Sequence, residues 1–444
     1  MSVAGAGAWV LRGARPLGGE PADIHVADGI IVDVVPAGQR STAAAASPKE
    51  YDADGLIALP GLIDLHTHLR EPGREDAETV ETGTLAAALG GFTAVHAMAN
   101  TEPVADVAGV VEQVWRLGQE AGHCDVHPVG AVSVGLAGAQ LAELGAMAAS
   151  AARVRIFSDD GHCVADPLLM RRALEYVKAF DGCIAQHAQD PRLTEGAQMN
   201  EGEVSARLGL GGWPAMAEEA VIARDCLLAA HVGGRVHFCH VSTAGSVETI
   251  RWAKSKGWAV TAEVTPHHLL LTDDLIATGA GPDSGPYDPV LKVNPPLRTA
   301  ADVEALRDAL ADGTIDAVAT DHAPHPLEAK ETEWQAAAFG MTGLETALGV
   351  VAAAMVETGR LDWAGVADRM SVRPARIGRV PGGSLAVDAV ASITLVDPAA
   401  RWVVDPTLSS SRSRNNPYAG RELPARVVAT FLRGRPTVLD GKPA

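Results

Sequence analysis

The chain has 444 residues, a formal net charge of −19 and 47% apolar side chains. That length accommodates one large domain and a smaller one, and the negative charge argues against nucleic-acid binding, because phosphates would be repelled. No stretch approaches the roughly 20 uninterrupted apolar residues that span a bilayer. The N-terminus lacks the basic-then-apolar order of a secretory signal. Five cysteines, scattered without a CxxC, read as reduced thiols of a cytoplasmic protein. A small anionic substrate stays open, since a local arginine outweighs a distant negative field.

In chain order, residues 1–58 hold short strand-like runs with turn signals, such as DIHVADGIIVDVVP, and STAAAAS (Ser41 to Ser47) reads as a loose loop. From residue 59 onward, β-rich runs alternate with alanine-rich amphipathic stretches. The strands are LIDLHTHL, FTAVHAMA, DVHPVGAV, VRIFSDD, CIAQHA, RVHFCHVS, AVTAEVTP and DAVATDHA. Helical stretches between them include DPLLMRRALEYVKAF, AMAEEAVIARDCLLAAHV, STAGSVETIRWAKSKG and AADVEALRDALADG, several opening on an N-cap residue. Eight strand-then-helix units predict an α/β fold, a (β/α)8 TIM-type barrel over residues 59–380. GAGPDSGPYDP, Gly279 to Pro289, is a flexible loop at its rim. Residues 381–444 return to short strands and are expected to meet residues 1–58 in one small β-sandwich.

Barrel chemistry gathers at the C-terminal strand ends. His66 and His68 end the first strand and, being two apart, share a face. Asp160 ends the fourth, His187 the fifth, His240 the sixth and Asp321 the eighth. Strand parity puts Asp160 with Ile156 and Val154, and His240 with Phe238 and Val236. Any one of these histidines is more simply a satisfied core residue. Six ligand-type residues converging on one rim predict a metal site.

The ordered run DLHTHLREPG, ANTEPV, SDDG, QHAQD, CHVST, AEVTPHHLLL, NPPLR, ATDHAPH and NNPYAG resembles the class I dihydroorotases of the amidohydrolase superfamily. The resemblance implies the same barrel and terminal sandwich, and two zinc ions. His66, His68 and Asp321 would hold one, His187 and His240 the other, with Asp160 bridging both. Many superfamily members bridge with a carboxylated lysine, for which SDDG has no candidate. The implied reaction interconverts dihydroorotate and N-carbamoyl-aspartate in pyrimidine biosynthesis. A metal-bridging hydroxide attacks the ring carbonyl, and Asp321 serves as general base and then acid.

Substrate-binding roles fall by resemblance on Arg70, Asn100, Asn294, His325, Phe339 and Gly340. Arg70 suits a carboxylate, because its planar fork binds bidentately. The family commonly has proline where Ala338 stands, which bears on the shape of the Phe339–Gly340 loop. Asp64 and Glu71 are expected to accept hydrogen bonds from the metal-binding imidazoles, and His267 and His268 to be structural or to support the ligands from behind. A homodimer and a complex with aspartate carbamoyltransferase fit the family. The competing readings are a hydantoinase- or allantoinase-like amidohydrolase and an inactive scaffold for the transferase.

Overall fold

The computed structural model describes residues 7–43, 47–281 and 284–444. Parts of the two loops anticipated at Ser41–Ser47 and Gly279–Pro289 therefore lie outside the described residues.

Eight parallel strands carry the middle of the chain: β1 Leu62–Thr67, β2 Phe92–Ala97, β3 Asp125–Pro128, β4 Ile156–Phe157, β5 Cys183–Gln186, β6 Val236–Phe238, β7 Val260–Val264 and β8 Ala317–Val318. β1, β2 and β3 form one ladder, and β4 to β8 form a second in sequential order. Parallel bridges join the two ladders at both edges, Gly130 with Phe157 and Thr67 with His322. Each strand falls inside a run marked in the sequence, trimmed to its ladder-forming part.

Buried carboxylates bind the two seams. Asp159 accepts from Val132 N at 2.8 Å and Ser133 N at 2.9 Å, tying the chain after β4 to the chain after β3. Asp64 on β1 accepts from Thr320 N at 2.8 Å and Thr320 Oγ1 at 2.5 Å, tying β1 to the chain after β8. These bonds hold the strand ends in place where the ladders stop, since a buried carboxylate needs donors.

The intervening helices start where the sequence provides a cap. Asp166 accepts from Leu169 N ahead of Pro167–Val177, and Thr243 from Ser246 N ahead of Ala244–Ser255. Thr299 and Asp302 form a capping box on Ala300–Asp312. Their apolar faces bury Leu174, Ile250 and Leu306 against the strands. Among the strands themselves, Leu65, Val129, Ile156, Ala185 and Ala317 share a separate buried cluster.

The two ends of the chain join in one nine-stranded sheet. Its join is the antiparallel pairing of Ile393–Val403 with Ile57–Pro60, in register from Ile393 opposite Pro60 to Val396 opposite Ile57. Leu11, Ile24, Ile31, Leu395 and Phe431 form its core. Between Ile393–Val403 and Glu422–Leu432 the chain leaves the sheet. Arg412 N then donates to Glu78 Oε1 at 3.0 Å, which anchors this excursion close to the ends of β1 and β8.

Candidate metal centre and active site

The residues expected to ligate metal sit at or just past the strand ends, and all six are buried. His66 lies within β1, His68 follows it, His187 follows β5, His240 lies two residues past β6, and Asp160 and Asp321 lie three past β4 and β8. The backbone turns sharply at several of these points: φ is +61° at Arg70, +32° at His240 and +46° at Asp321. Non-glycine residues rarely adopt this left-handed region, and each instance costs about 1–3 kcal/mol. The surrounding hydrogen bonds impose it.

Around Asp160 the donor atoms draw close. His66 Nε2 lies 3.3 Å and His240 Nε2 3.4 Å from Asp160 Oδ1, and His187 Nδ1 lies 3.2 Å from it. His187 Nδ1 and His240 Nε2 are 2.9 Å apart. On the other side, His68 Nε2 approaches Asp321 Oδ1 at 3.1 Å and Asp160 Oδ2 at 3.3 Å, and His66 Nε2 is 3.5 Å from Asp321 Oδ1. Donors bound tetrahedrally at about 2.0–2.1 Å from a zinc ion are about 3.3 Å apart. The spacing fits such an ion. His66 Nε2 also has no hydrogen-bond partner although it is buried, which leaves its lone pair for a metal. His66, His68 and Asp321 form one group able to hold an ion, and His66, Asp160 and His240 another.

The electrostatics agree with this donor set. Burial alone would raise the Asp160 carboxyl, but His66, His187 and His240 hold it well below the usual carboxylate range. Asp321 is likewise lowered against burial, chiefly by His66 and His68. Both acids are thus ionised.

Residues both near and distant in sequence orient the imidazoles. His66 Nδ1 meets Glu263 Oε1 at 3.0 Å, His68 Nδ1 meets Asn100 Oδ1 at 2.9 Å, and His187 Nε2 meets Gln189 Oε1 at 2.7 Å. Glu263 in turn meets His237 Nε2 at 3.0 Å. The expectation for Asp64 and Glu71 is therefore corrected. Asp64 accepts from Thr67 Oγ1 and from Thr320, while Glu71 accepts from Val80 N, so neither reaches a ligand ring. His268 is structural as expected, with Nδ1 2.7 Å from Thr265 Oγ1 and Nε2 3.2 Å from Pro296 O. Gln189 has a local signal in QHAQD. Glu263 has none, because it comes from β7, a strand on which the sequence pattern places no ligand.

Every expected site residue except His66, which lies beneath, lines one cavity of about 260 Å³. Arg70 donates Nε to Pro324 O at 3.1 Å and forms no ion pair among the described residues, neither with Glu71 nor with Glu75. Burial and the nearby Arg74 lower its pKa to about 10, which leaves it charged at neutral pH. Asn100 also faces the cavity, but its Oδ1 is already engaged by His68. His325 bonds Phe339 O through Nε2 at 2.7 Å, and its pKa is pushed down to about 3 by burial and by Arg70.

Gly340 has φ +142°, and a Cβ there would lie 2.8 Å from both Ala323 Cβ and His325 Nε2, so only glycine fits. Ala338 explains itself by its hydrogen bonds. Its N–H donates to Ala329 O at 2.9 Å, a bond proline could not make, and its carbonyl accepts from Lys330 Nζ at 2.8 Å. Asn415, in the excursion from the terminal sheet, donates to Ala323 O at 3.0 Å and Gly340 O at 3.1 Å and accepts from His325 N at 3.3 Å. The NNPYAG motif thus reaches the site wall.

The overall fold matches that of the L-hydantoinase (dihydropyrimidinase) from Arthrobacter aurescens with a TM-score of 0.86 at 24% identity, covering 99% of this chain and 97% of that one. A D-hydantoinase (dihydropyrimidinase) from Thermus sp. aligns with a TM-score of 0.80 at 22% identity, covering 98% and 96%. The likeness to these two structures is one of fold, and in this chain histidine and aspartate side chains cluster at the strand ends below a small cavity. Residues 55–246 match the family model described as dihydro-orotase-like. The chain is 68% identical to the dihydroorotase of Streptomyces coelicolor over 435 residues, covering 98% of this chain and 99% of that one. It is 56% identical to the dihydroorotase of Mycobacterium tuberculosis over 436 residues, with 98% and 99% covered. The chain belongs to the dihydroorotase family, enzymes that hydrolyse a cyclic amide.

Proposed function

We propose that the protein interconverts dihydroorotate and N-carbamoyl-aspartate at a site holding two zinc ions, with His66, His68 and Asp321 at one, His187 and His240 at the other, and Asp160 shared. The observation that carries this reading is the donor geometry around Asp160, whose Oδ1 is within 3.4 Å of nitrogens from His66, His187 and His240. A metal pair, when bound, supplies water of lowered pKa and a polarised carbonyl. The chain supplies the rest. Arg70 holds the substrate carboxylate, while Asn100, Asn294 and His325 with the Phe339–Gly340 backbone fix the ring above the strand ends. Asp321, ionised and beside His68 Nε2, takes the proton of the attacking water and returns it to the leaving ring nitrogen.

The reading includes a closed (β/α)8 barrel over 59–380, supported by the bridges at both ladder edges. A β-sandwich of 1–58 with 381–444 is supported by the shared sheet. It extends to a cytoplasmic homodimer able to associate with aspartate carbamoyltransferase, as the family resemblance implies. No helix among the described residues is long and apolar enough to cross a membrane.

The test is metal analysis on one preparation together with turnover of dihydroorotate, hydantoin and allantoin. Zinc near two per chain with preference for dihydroorotate is expected. Preference for an uncharged ring would point to a hydantoinase-like substrate. Zinc-free protein that binds the transferase and hydrolyses nothing would point to a scaffold.

A further inference from the structure

Hydrogen-bond polarity around Gln189 is fixed by a short relay. Thr194 donates its hydroxyl to Asp190 O at 2.9 Å, so the Thr194 oxygen receives Gln189 Nε2, also at 2.9 Å. Gln189 Oε1 then faces His187 Nε2 at 2.7 Å and Asn294 Nδ2 at 3.0 Å. A carbonyl oxygen only accepts, so both neighbours must donate to it. Asn294 has thereby committed its amide nitrogen to Gln189. Its Oδ1 is left buried without a partner, on a residue lining the catalytic cavity.

A buried acceptor lacking a donor is unfavourable, and native proteins rarely leave one without a reason. The substrate's carboxylate and ring carbonyls carry only lone pairs and would be repelled by Asn294 Oδ1. Its ring N–H groups are the donors that remain, and the ureido group keeps N–H donors after the ring opens. We propose that Gln189 is a positioning residue that turns Asn294 so that Oδ1 accepts a hydrogen bond from an amide N–H of the substrate. Asn294 then selects for an unsubstituted ring nitrogen, whereas the carboxylate is left to Arg70. This inference rests on the functional reading above.

The test uses the two mono-N-methyl dihydroorotates as competitive inhibitors of the full-length, metal-loaded enzyme. One neutral hydrogen bond with its unpaired penalty is worth roughly tenfold or more in binding. In the unmodified enzyme one isomer should bind at least about tenfold more weakly than dihydroorotate. Asn294→Ala should shrink that ratio to below about threefold, because the discriminating oxygen is gone. Gln189→Met should shrink it too, with bound metal per chain and unfolding temperature measured alongside, since general loosening would not alter discrimination between the two isomers. Equal binding of both isomers by the unmodified enzyme, or an unchanged ratio in Asn294→Ala, would overturn the contact. An unchanged ratio in Gln189→Met would overturn the positioning role. If dihydroorotate is not turned over, the functional reading fails, and calorimetric binding of the same compounds still decides the Asn294 contact.

Discussion

Lys330 sits beside the Phe339–Gly340 loop with 4% of its surface exposed, and it has no carboxylate partner among the described residues. Its Nζ donates to Lys292 O at 3.2 Å and Ala338 O at 2.8 Å, while Lys292 Nζ donates to Trp334 O at 2.7 Å. Burial, then the neighbouring Lys292, lowers the Lys330 pKa from 10.5 to about 7. In the unfolded chain the lysine keeps its proton to about pH 10.5, so between pH 7 and 10.5 the unfolded state binds more protons. Stability from this group therefore rises with pH through that window, by up to about 1.4 kcal/mol per unit. Between pH 7 and 9 the gain is about 2 kcal/mol. Lys330→Met lacks this dependence. Urea unfolding of both proteins at pH 7, 8 and 9 should show the stability difference moving toward the unmodified enzyme by that amount. A difference constant to within about 0.5 kcal/mol would refute a buried, uncompensated ammonium.

Asp321→Asn should give a folded protein whose turnover falls by at least about a hundredfold in the dihydroorotate assay, because the amide cannot take the proton. Glu263→Gln presents one amide nitrogen to an imidazole that now meets a carboxylate oxygen. Metal affinity, measured by chelator competition, should weaken by about 10–100-fold. Gly340→Ala forces a Cβ to 2.8 Å from Ala323 and His325. A loss of about 2–3 kcal/mol in denaturant unfolding and a raised KM are expected.

That these six side chains meet was legible in the sequence for a physical reason. Strand periodicity assigns a face to each residue, and parallel strands bring their C-terminal ends to one side, so His66, His68, Asp160, His187, His240 and Asp321 could be placed without coordinates. What holds those side chains in place was not legible. Glu263 stands 197 residues from His66, and Asn415 stands 90 from His325. No local spacing encodes such contacts. Asp64 lies two residues before His66, yet its carboxylate is drawn to the Thr320 N–H and hydroxyl at the seam, a partner 256 residues away. Ala338 reads as a departure from the family, and only its N–H bond to Ala329 O shows why alanine serves there.

The left-handed turns at Arg70, His240 and Asp321 have a consequence for anyone engineering this enzyme. At each, asparagine or glycine relaxes a backbone that the present residue holds at positive φ. A library selected for heat resistance alone would be drawn to these positions first, gaining about a kcal/mol per change. It would discard a proposed metal ligand or the proposed carboxylate receptor each time. Thermostabilisation of this chain has to be screened by turnover from the first round, with these three positions held fixed.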